Sequence, residues 1–574
     1  MDEDSCMVDI ARYFLSFTQD ESCGKCVMCR LGTKQMLTVL ENICNGRGKL
    51  EDIDLLANLS VQIKSGSLCG LGQTAPNPVL TTLKYFRNEY EDHIRKHHCE
   101  AAACQGIVSA PCSHTCPANI DVPRYIRFVA GGKPDAALAV IREKIPFPSV
   151  CGLVCFHPCE TKCRRGQLDE ALAIRMLKRF ASENGDGLWK QRFTLAPRTG
   201  KSVGVIGSGP AGLTAAFFLT KLGHRVTVFE ALPDAGGMMR VGIPDYRLPK
   251  DVLKKEIKEI EDIGVTIKTN CFVKSPESLL RDGFDAVFVA TGAHQGMRLG
   301  IEGENNPGVT DCVSFLRDIC LGNPVEVGAR VAVTGGGNAA VDSARSALRL
   351  GAKEVTVLYR RTSEEMPANP EEVEQALAEG IKFEYLVNPM RISRSVDGLE
   401  VECIRMKLGP VDSSGRKRPE PQPGSEFKMV FDNVIEAIGQ QPEIPAGFGL
   451  ALGRGNIVAA DADTLATAKS GVFAGGDAST GPASVIEAIA SGRQAAISID
   501  KYLGGSGLID VTLAPPEPEL SPLEEAEEKR RPKVSVTPVS SRIKSFVEVE
   551  RGYGRRKAAE EAGRCLRCDK EKRD

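Results

Sequence analysis

Two glycine-rich turns, each set between an apolar strand and a helix, constrain this chain more than any other feature. The first lies in KSVGVIGSGPAGLTAAFFLTKLGHRVTVFE, residues 201–230. Val203, Val205 and Ile206 predict a buried parallel strand that breaks into Gly207-Ser208-Gly209-Pro210-Ala211-Gly212, and a second strand, Val226–Phe229, ends on Glu230. In such a unit Gly207 permits the tight turn, Gly209 admits a pyrophosphate close to the backbone, and Gly212 lets helix pack on strand. The helix N-terminus turns unpaired N–H groups and a positive dipole end toward the phosphates. Glu230 is placed to hold a ribose hydroxyl.

The second unit, ARVAVTGGGNAAVDSARSALRLG, carries Gly335, Gly337 and Ala340 in a G-x-G-x-x-A pattern, with Asn338 opening its helix. Its following strand, VTVLYRR, ends on Arg360 and Arg361, where an NAD site carries an acid. Arginine forks suit a ribose phosphate that a carboxylate would repel, so the pattern predicts a preference for NADP(H). Two arginines that merely cap a strand end in solvent would read the same way.

The chain has 574 residues, too many for one hydrophobic core, and a net charge of −2 with acids and bases interspersed. Neither a nucleic-acid footprint nor a charge argument for membrane binding arises. The start, MDEDSCMVDI, lacks the basic and apolar regions of a signal peptide. No uncharged apolar run reaches the roughly 18 residues of a membrane span. A soluble, cytoplasmic protein without direct membrane insertion is expected.

Twenty cysteines are then unusual, and clustered cysteines in a reducing compartment point to metal or catalysis. In ESCGKCVMCR, Cys23, Cys26 and Cys29 recur with two residues between them, and Cys69 follows in SLCGLGQTAPNPV. Four thiolates so placed suit a 4Fe–4S cluster or zinc. A second field holds Cys99, Cys104, Cys112, Cys116, Cys151, Cys155, Cys159 and Cys163, and EEAGRCLRCD at the far end carries Cys565 and Cys568. Cys6 and Cys44 fall outside these patterns and read as structural. Cys271, Cys312, Cys320 and Cys403 are isolated and read as ordinary core or surface residues.

The phrases ESCGKCxxCR and SxCxLGQxAPNPV resemble the C-terminal cluster domain of the flavin-bearing subunit of complex I and of related hydrogenases. That resemblance implies a 4Fe–4S cluster on Cys23, Cys26, Cys29 and Cys69 in a small helical domain, without the FMN-binding part that precedes it in those subunits. APCSHTCPANIDVPRYI and VCGLVCFHPCETKCRR resemble the N-terminal double-cluster domain of the glutamate synthase small subunit and of dihydropyrimidine dehydrogenase. In those families the RCLxC phrase stands directly before PCxxxCP; here it stands at the C-terminus, which implies a tail that folds back. The implied ligands are Cys112, Cys163, Cys565 and Cys568 for one cluster, and Cys116, Cys155 and Cys159 for another. Relatives use Glu or Gln as fourth ligand of the latter; Lys178 occupies that position, and a protonated lysine cannot ligate iron. Cys151 is a non-ligand in those relatives. Cys99 and Cys104 remain spare candidates, for that vacancy or as rivals of the C-terminal pair.

AGGMMRVGIPDYRLPK, with Gly236, Gly237, Arg240 and Arg247, is a further hallmark of the glutamate-synthase type. So are Thr291 and Gly292 in FDAVFVATGA, and Gly476 and Asp477 in GVFAGGDAST. They imply FAD in the first nucleotide site, with Asp477 at its ribityl or pyrophosphate region and a helix from Ser484 aimed at its ring.

The expected fold is an α/β flavoprotein with two dinucleotide-binding domains, Rossmann-like, for FAD and NADP, preceded by two mostly helical iron–sulfur domains. The expected boundaries are 1–98 and 99–198 for the cluster domains, 199–310 and 441–505 for FAD, 311–440 for NADP, and 506–574 for a linker and cysteine tail. Residues 506–545, rich in proline and charge, read as an extended linker. The implied cofactors are FAD, NADP(H) and three 4Fe–4S clusters. No catalytic acid or base is required, because hydride passes between cofactors. The implied role is an electron-transfer subunit of bifurcating transhydrogenase or hydrogenase type. Its partners would be an FMN-bearing flavin subunit and a small iron–sulfur subunit, with NAD(H), ferredoxin or hydrogen as the other couples. A glutamate synthase small subunit is the alternative.

Overall fold

In the computed structural model, residues 5–412, 415–517 and 527–570 are described. Part of the expected linker, 518–526, and the last four residues of the tail lie outside them.

The first unit is helical. Helix Met7–Asp20 buries Val8, Ala11, Leu15 and Thr18, a spacing of three and four that lines one face. That face packs with Thr33–Cys44, Glu51–Gly66 and Asn77–Tyr85 around Met36, Leu40, Ile43, Leu56 and Val79. The same core continues through Tyr90 to Cys99, Ala102, Cys104 and Val108. The expected boundary at residue 98 therefore falls inside one hydrophobic core.

The second helical unit is built from Val122–Ala130, Pro134–Arg142, Pro148–Val154 and Ile174–Asn184. Proline opens the first turn of three of these, where its missing N–H costs no hydrogen bond. The unit shares a continuous core with the first nucleotide domain, in which Ile145 and Phe147 join Phe217 and Phe218.

Each nucleotide domain holds a five-stranded parallel sheet. The first runs in the order 472–474, 286–289, 202–206, 225–229, 266–268. The second runs 309–311, 433–436, 330–334, 354–359, 382–385. In both, the strand that leads into the glycine turn is central, and its sequence successor lies on one side while a later strand lies on the other. That is the switch point of an open α/β sheet, where a crevice opens at the carboxyl ends of the strands. A short antiparallel pair, Gln440–Gln441 with Gln295–Gly296, joins the two crossing segments between the domains. Strands within 387–431 form an antiparallel sheet beside the second domain.

The C-terminal segment runs back along the molecule. Glu548 and Glu550 pair with Arg179 and Arg175, at 2.6 and 2.7 Å. Helix Arg555–Ala562 then packs on helices 122–130 and 174–184. Among the described residues, no helix is long and apolar enough to cross a membrane.

Candidate functional site

A cavity of about 1000 Å³ lies between the two sheets, and both glycine turns open into it. Gly207 and Gly335 have φ of +103° and +143°. A Cβ on either would lie 2.4 Å from the Ala290 carbonyl oxygen or 2.1 Å from that of Ala437, so the protein itself demands glycine there. Gly209 and Gly337 differ. Both have extended backbones that any residue adopts, and a Cβ on either would meet no protein atom within 4 Å. Packing does not require glycine at these two positions, and the open space beside them leaves room for a ligand to approach the backbone. Gly212 and Ala340 do not line the cavity. A Cβ on Gly212 would sit 2.1 Å from the Gly207 carbonyl oxygen, which is the helix-on-strand packing expected of the third position.

Glu230 lines the cavity, and its carboxylate also braces the turn. Oε2 accepts from Ser208 N at 3.0 Å and from Ser208 Oγ, while Oε1 accepts from Leu232 N at 2.8 Å. Gly237, Thr291, Gly292, Gly476 and Asp477 line the same space. Two buried hydroxyls there, Thr291 Oγ1 and Thr334 Oγ1, have no hydrogen-bond partner. Burial pushes the Asp477 carboxyl up to about 6, against one hydrogen bond from Ala483 N at 3.2 Å. Helix Val485–Tyr502 opens on a capping box, with Ser484 and Glu487 each accepting from the other's backbone, and presents its N-terminus to the cavity. Glycines that leave open space, orphaned hydroxyls and a helix N-terminus together fit a dinucleotide.

Arg240 and Arg247 separate. Arg240 lies outside the cavity, paired with Asp234 at 2.8 Å and with the Cys320 carbonyl. Arg247 lines it but bridges the domains, with Asp342 at 2.6 Å and Glu372 at 3.1 Å. The strand-end arginines both line the cavity but differ in what holds them. Arg361 is buried, donating to Asp412 Oδ2 at 2.7 Å and to the Lys417 carbonyl at 2.8 Å. Arg360 is exposed at the cavity edge, and a third arginine, Arg416, lines the same wall from the turn before strand Lys417–Pro421. Nothing in the local sequence of residue 416 marks it for this position. Asn338 also lines the cavity, and its Oδ1 accepts from Asn369 N at 3.0 Å.

The cysteines gather in separate sets. Cys23, Cys26 and Cys29 follow the end of the first helix, and the segment that carries Cys69 approaches them, with Leu68 N–H on Cys26 and Gly72 against the Cys29 side chain. Cys29 lies in a single π turn, Met28–Gly32, and Cys69 caps helix Gly70–Thr74. Backbone N–H groups of Leu68 and Cys29 lower the pKa of the Cys26 thiol. Val27, Met28, Leu31 and Leu68 beside them are all exposed, Leu68 at 81%.

Cys112, Cys163, Cys565 and Cys568 line one small cavity, although some 400 residues separate the pairs. The returning tail is held there by Arg127 on Asp569 at 2.9 Å and by the Arg165 guanidinium on the Arg564 carbonyl at 3.2 Å. Burial and the nearby thiols of Cys163 and Cys568 push Cys565 up to about 11.

Cys116, Cys155 and Cys159 are buried around Lys178, with Cys151 beside them. Burial alone would favour the neutral amine, but the surrounding thiols, Cys155 first, hold Lys178 above its ordinary value. Cys155 lies between Val154 and Phe156, which line the nucleotide cavity. Cys99 and Cys104 join neither of these sets. They stand with Cys6 and His93 in the first unit, which removes them as candidates for the vacancy at Lys178.

Comparison with known proteins agrees with these units. Residues 9–93 match the NADH-ubiquinone oxidoreductase-F iron–sulfur binding region, 82–187 match the dihydropyrimidine dehydrogenase domain II 4Fe–4S cluster model, and 201–492 match the pyridine nucleotide-disulphide oxidoreductase model. The NADP(+)-dependent formate dehydrogenase subunit beta of Moorella thermoacetica is 41% identical, over 96% of this chain and 88% of its own. The NADPH-Fe(3+) oxidoreductase subunit beta of Geobacter sulfurreducens is 39% identical, over 97% and 90%. The glutamate synthase [NADPH] small chain of Escherichia coli is 33% identical, over 70% of this chain and 91% of its own. The chain therefore belongs to the pyridine nucleotide-disulphide oxidoreductases, in the glutamate synthase small-chain-like group that carries iron–sulfur domains, and is an NAD(P)H-dependent flavin and iron–sulfur oxidoreductase.

Proposed function

We propose that this chain is the NADP(H)-side subunit of a multi-subunit electron-transfer complex, exchanging electrons between NADP(H) and a partner that carries its own flavin or metal centres. The observation that carries this reading is the wall of the nucleotide cavity: Val154 and Phe156, the chain neighbours of Cys155, line that wall, so one cysteine set lies directly behind the space both nucleotides would enter. FAD, when bound, can exchange a hydride with NADP(H) and single electrons with iron–sulfur clusters.

In this reading the first turn, Gly207 to Gly212, with Glu230 and Asp477, holds FAD. The second, Gly335 to Ala340, with Asn338, holds NADP(H), and Arg360 and Arg416 take its ribose phosphate. Arg361 supports them by fixing the segment around Asp412 and Lys417. Cys116, Cys155 and Cys159 hold the cluster nearest the flavin. Cys112, Cys163, Cys565 and Cys568 hold a second, and Cys23, Cys26, Cys29 and Cys69 a third. The exposed apolar side chains around that third set support its role as the exit toward a partner.

The relatives widen the range of couples, since their names specify formate dehydrogenase and ferric iron reduction by NADPH. The cluster region at residues 9–93 supports an electron-bifurcating transhydrogenase or hydrogenase as the complex, with NAD(H), ferredoxin or hydrogen on the partner side. A glutamate synthase small subunit is the second reading, favoured by the match to the Escherichia coli small chain. The added N-terminal cluster region, residues 9–93, argues against it.

The test is reconstitution. The chain alone should reduce an artificial dye with NADPH, whereas transfer to ferredoxin, NAD or another physiological couple should require an added partner carrying its own flavin or metal centre. Full coupled activity by the chain alone would contradict the assignment.

A further inference from the structure

Cys6, His93, Cys99 and Cys104 come from three separate places in the chain and meet in the core of the first unit. Cys6 caps helix Met7–Asp20, His93 lies on helix Arg87–Arg95, and Cys99 and Cys104 lie in the irregular segment that follows. All four are buried, at 2% exposure or less. None of the nucleotide or cluster assignments uses them.

The donor atoms converge. Cys6 Sγ lies 3.4 Å from His93 Nε2 and 3.6 Å from Cys104 Sγ, and His93 Nε2 lies 3.3 Å from Cys104 Sγ. All four ligand atoms fall within 4.8 Å of one another. A tetrahedral zinc ion, about 2.3 Å from sulfur and about 2.0–2.1 Å from nitrogen, sets its donors about 3.5–3.8 Å apart. A cubane cluster takes its thiolates on separate iron atoms and holds them further apart. Among the described residues, no three donors of the other cysteine sets lie within 4.8 Å of one another. The spacing thus distinguishes a site for one ion from sites for clusters.

The orientation of His93 agrees. Its Nδ1 lies 2.7 Å from the Glu89 carbonyl, an acceptor, so Nδ1 carries the proton and Nε2 turns its lone pair toward the three sulfurs. Fixing a ligating imidazole through its other nitrogen is the common outer-shell arrangement of metal-bound histidine. Asp9 and Cys44 also approach Cys104. Asp9 is already paired with Arg12 at 2.8 Å, which leaves the buried Cys3His set as the complete tetrahedron.

We propose that Cys6, His93, Cys99 and Cys104 bind a structural zinc ion, distinct from the iron–sulfur clusters. The ion joins the start of the first helix to the segment that leads into the second cluster unit. It fixes the first unit's last turn, and with it the approach of one cluster domain to the next. This does not depend on the identity of the redox partner.

The test uses the full chain purified with its cofactors and without chelator. Elemental analysis should find one zinc per chain beside the iron, and zinc-edge X-ray absorption should show three sulfur neighbours and one nitrogen. His93→Cys should keep the zinc and change its shell to four sulfurs, while His93→Ala and Cys104→Ser should lose it with the iron content retained. Cys44→Ser should leave it in place. A folded, iron-replete wild-type chain with substoichiometric zinc would overturn the proposal. So would zinc held by four sulfurs in the wild type, or iron or a disulfide found at these residues.

Discussion

The two nucleotide turns share a strand, a glycine pattern and a helix, yet their second strands end in opposite charge, Glu230 in one and Arg360-Arg361 in the other. Each strand end does structural work as well. Glu230 braces its own turn through Ser208 and Leu232, and Arg361 is committed to Asp412 and Lys417. The contrast teaches that a strand-end residue serves the fold as well as the cavity, and that further charge on the same wall comes from other elements. In the second unit Arg416, more than fifty residues away in the turn before strand Lys417–Pro421, lines the same cavity and, in the proposed function, takes a share of the ribose phosphate.

The most drastic way to break the comparison is to fill the open space beside each turn. Gly209→Val should leave the chain without flavin, and Gly337→Val should retain flavin but abolish NADPH binding. Flavin release with chromatography and an NADPH titration by fluorescence distinguish the two. Loss of flavin from both variants would mean that the turns are not separate sites.

The second unit is also clamped from outside. Glu379 is buried between Arg345, Arg349 and Arg542 at 2.8–2.9 Å. Burial alone would raise its pKa, but the hydrogen bonds of Arg349 and Arg345 hold it down to about 2. Glu379→Gln should destabilise this domain by about 3–5 kcal/mol, because it leaves buried guanidinium charge unpaired. Denaturant unfolding measures this. With a folded pKa below the unfolded one, the stabilisation is complete above the ordinary carboxylate range and is lost as pH falls toward about 2. A pH-independent difference between wild type and variant would contradict the ion-pair origin.

Arg360→Ser should raise the Michaelis constant for NADPH roughly 10- to 150-fold, from loss of a charge-assisted bond of about 1.5–3 kcal/mol, and leave that for NADH nearly unchanged. Arg361→Ser should have the smaller effect on discrimination, since its guanidinium faces Asp412. Equal effects on the two nucleotides would sink the phosphate assignment.

The smallest expected change is at Lys178. Lys178→Met should leave iron content unchanged and shift a cluster potential downward, because a buried positive charge disappears. Cys151→Ser should leave both iron content and potential unchanged, because Cys151 is buried beside Cys116 and Cys155 without belonging to the assigned ligand set. Iron and sulfide assays with EPR redox titration separate these outcomes.

Much of this was legible in the sequence, for physical reasons. Parallel strands buried on both faces and glycines at fixed offsets announce a nucleotide turn, and both turns lie where they were expected. The displaced phrase around Cys565 and Cys568 was readable because its words are local, and the structure brings it to Cys112 and Cys163. His93 was not readable. It lies in a run with His97 and His98 and has no local spacing to Cys6, so only tertiary packing selects it. Arg416 escaped for the same reason. Arg240 shows the converse: it belongs to a phrase tied to the flavin site, yet Asp234 and Cys320 hold it outside the cavity.

Anaerobic titration of the purified chain with NADPH and with NADH, followed by flavin absorbance and low-temperature EPR, tests the assignment of an NADP(H)-side subunit most directly. NADPH should bleach the flavin and then produce reduced-cluster signals, while NADH should do so only at far higher concentration. A flavin that NADPH leaves oxidised, or that both nucleotides reduce equally well, would contradict it.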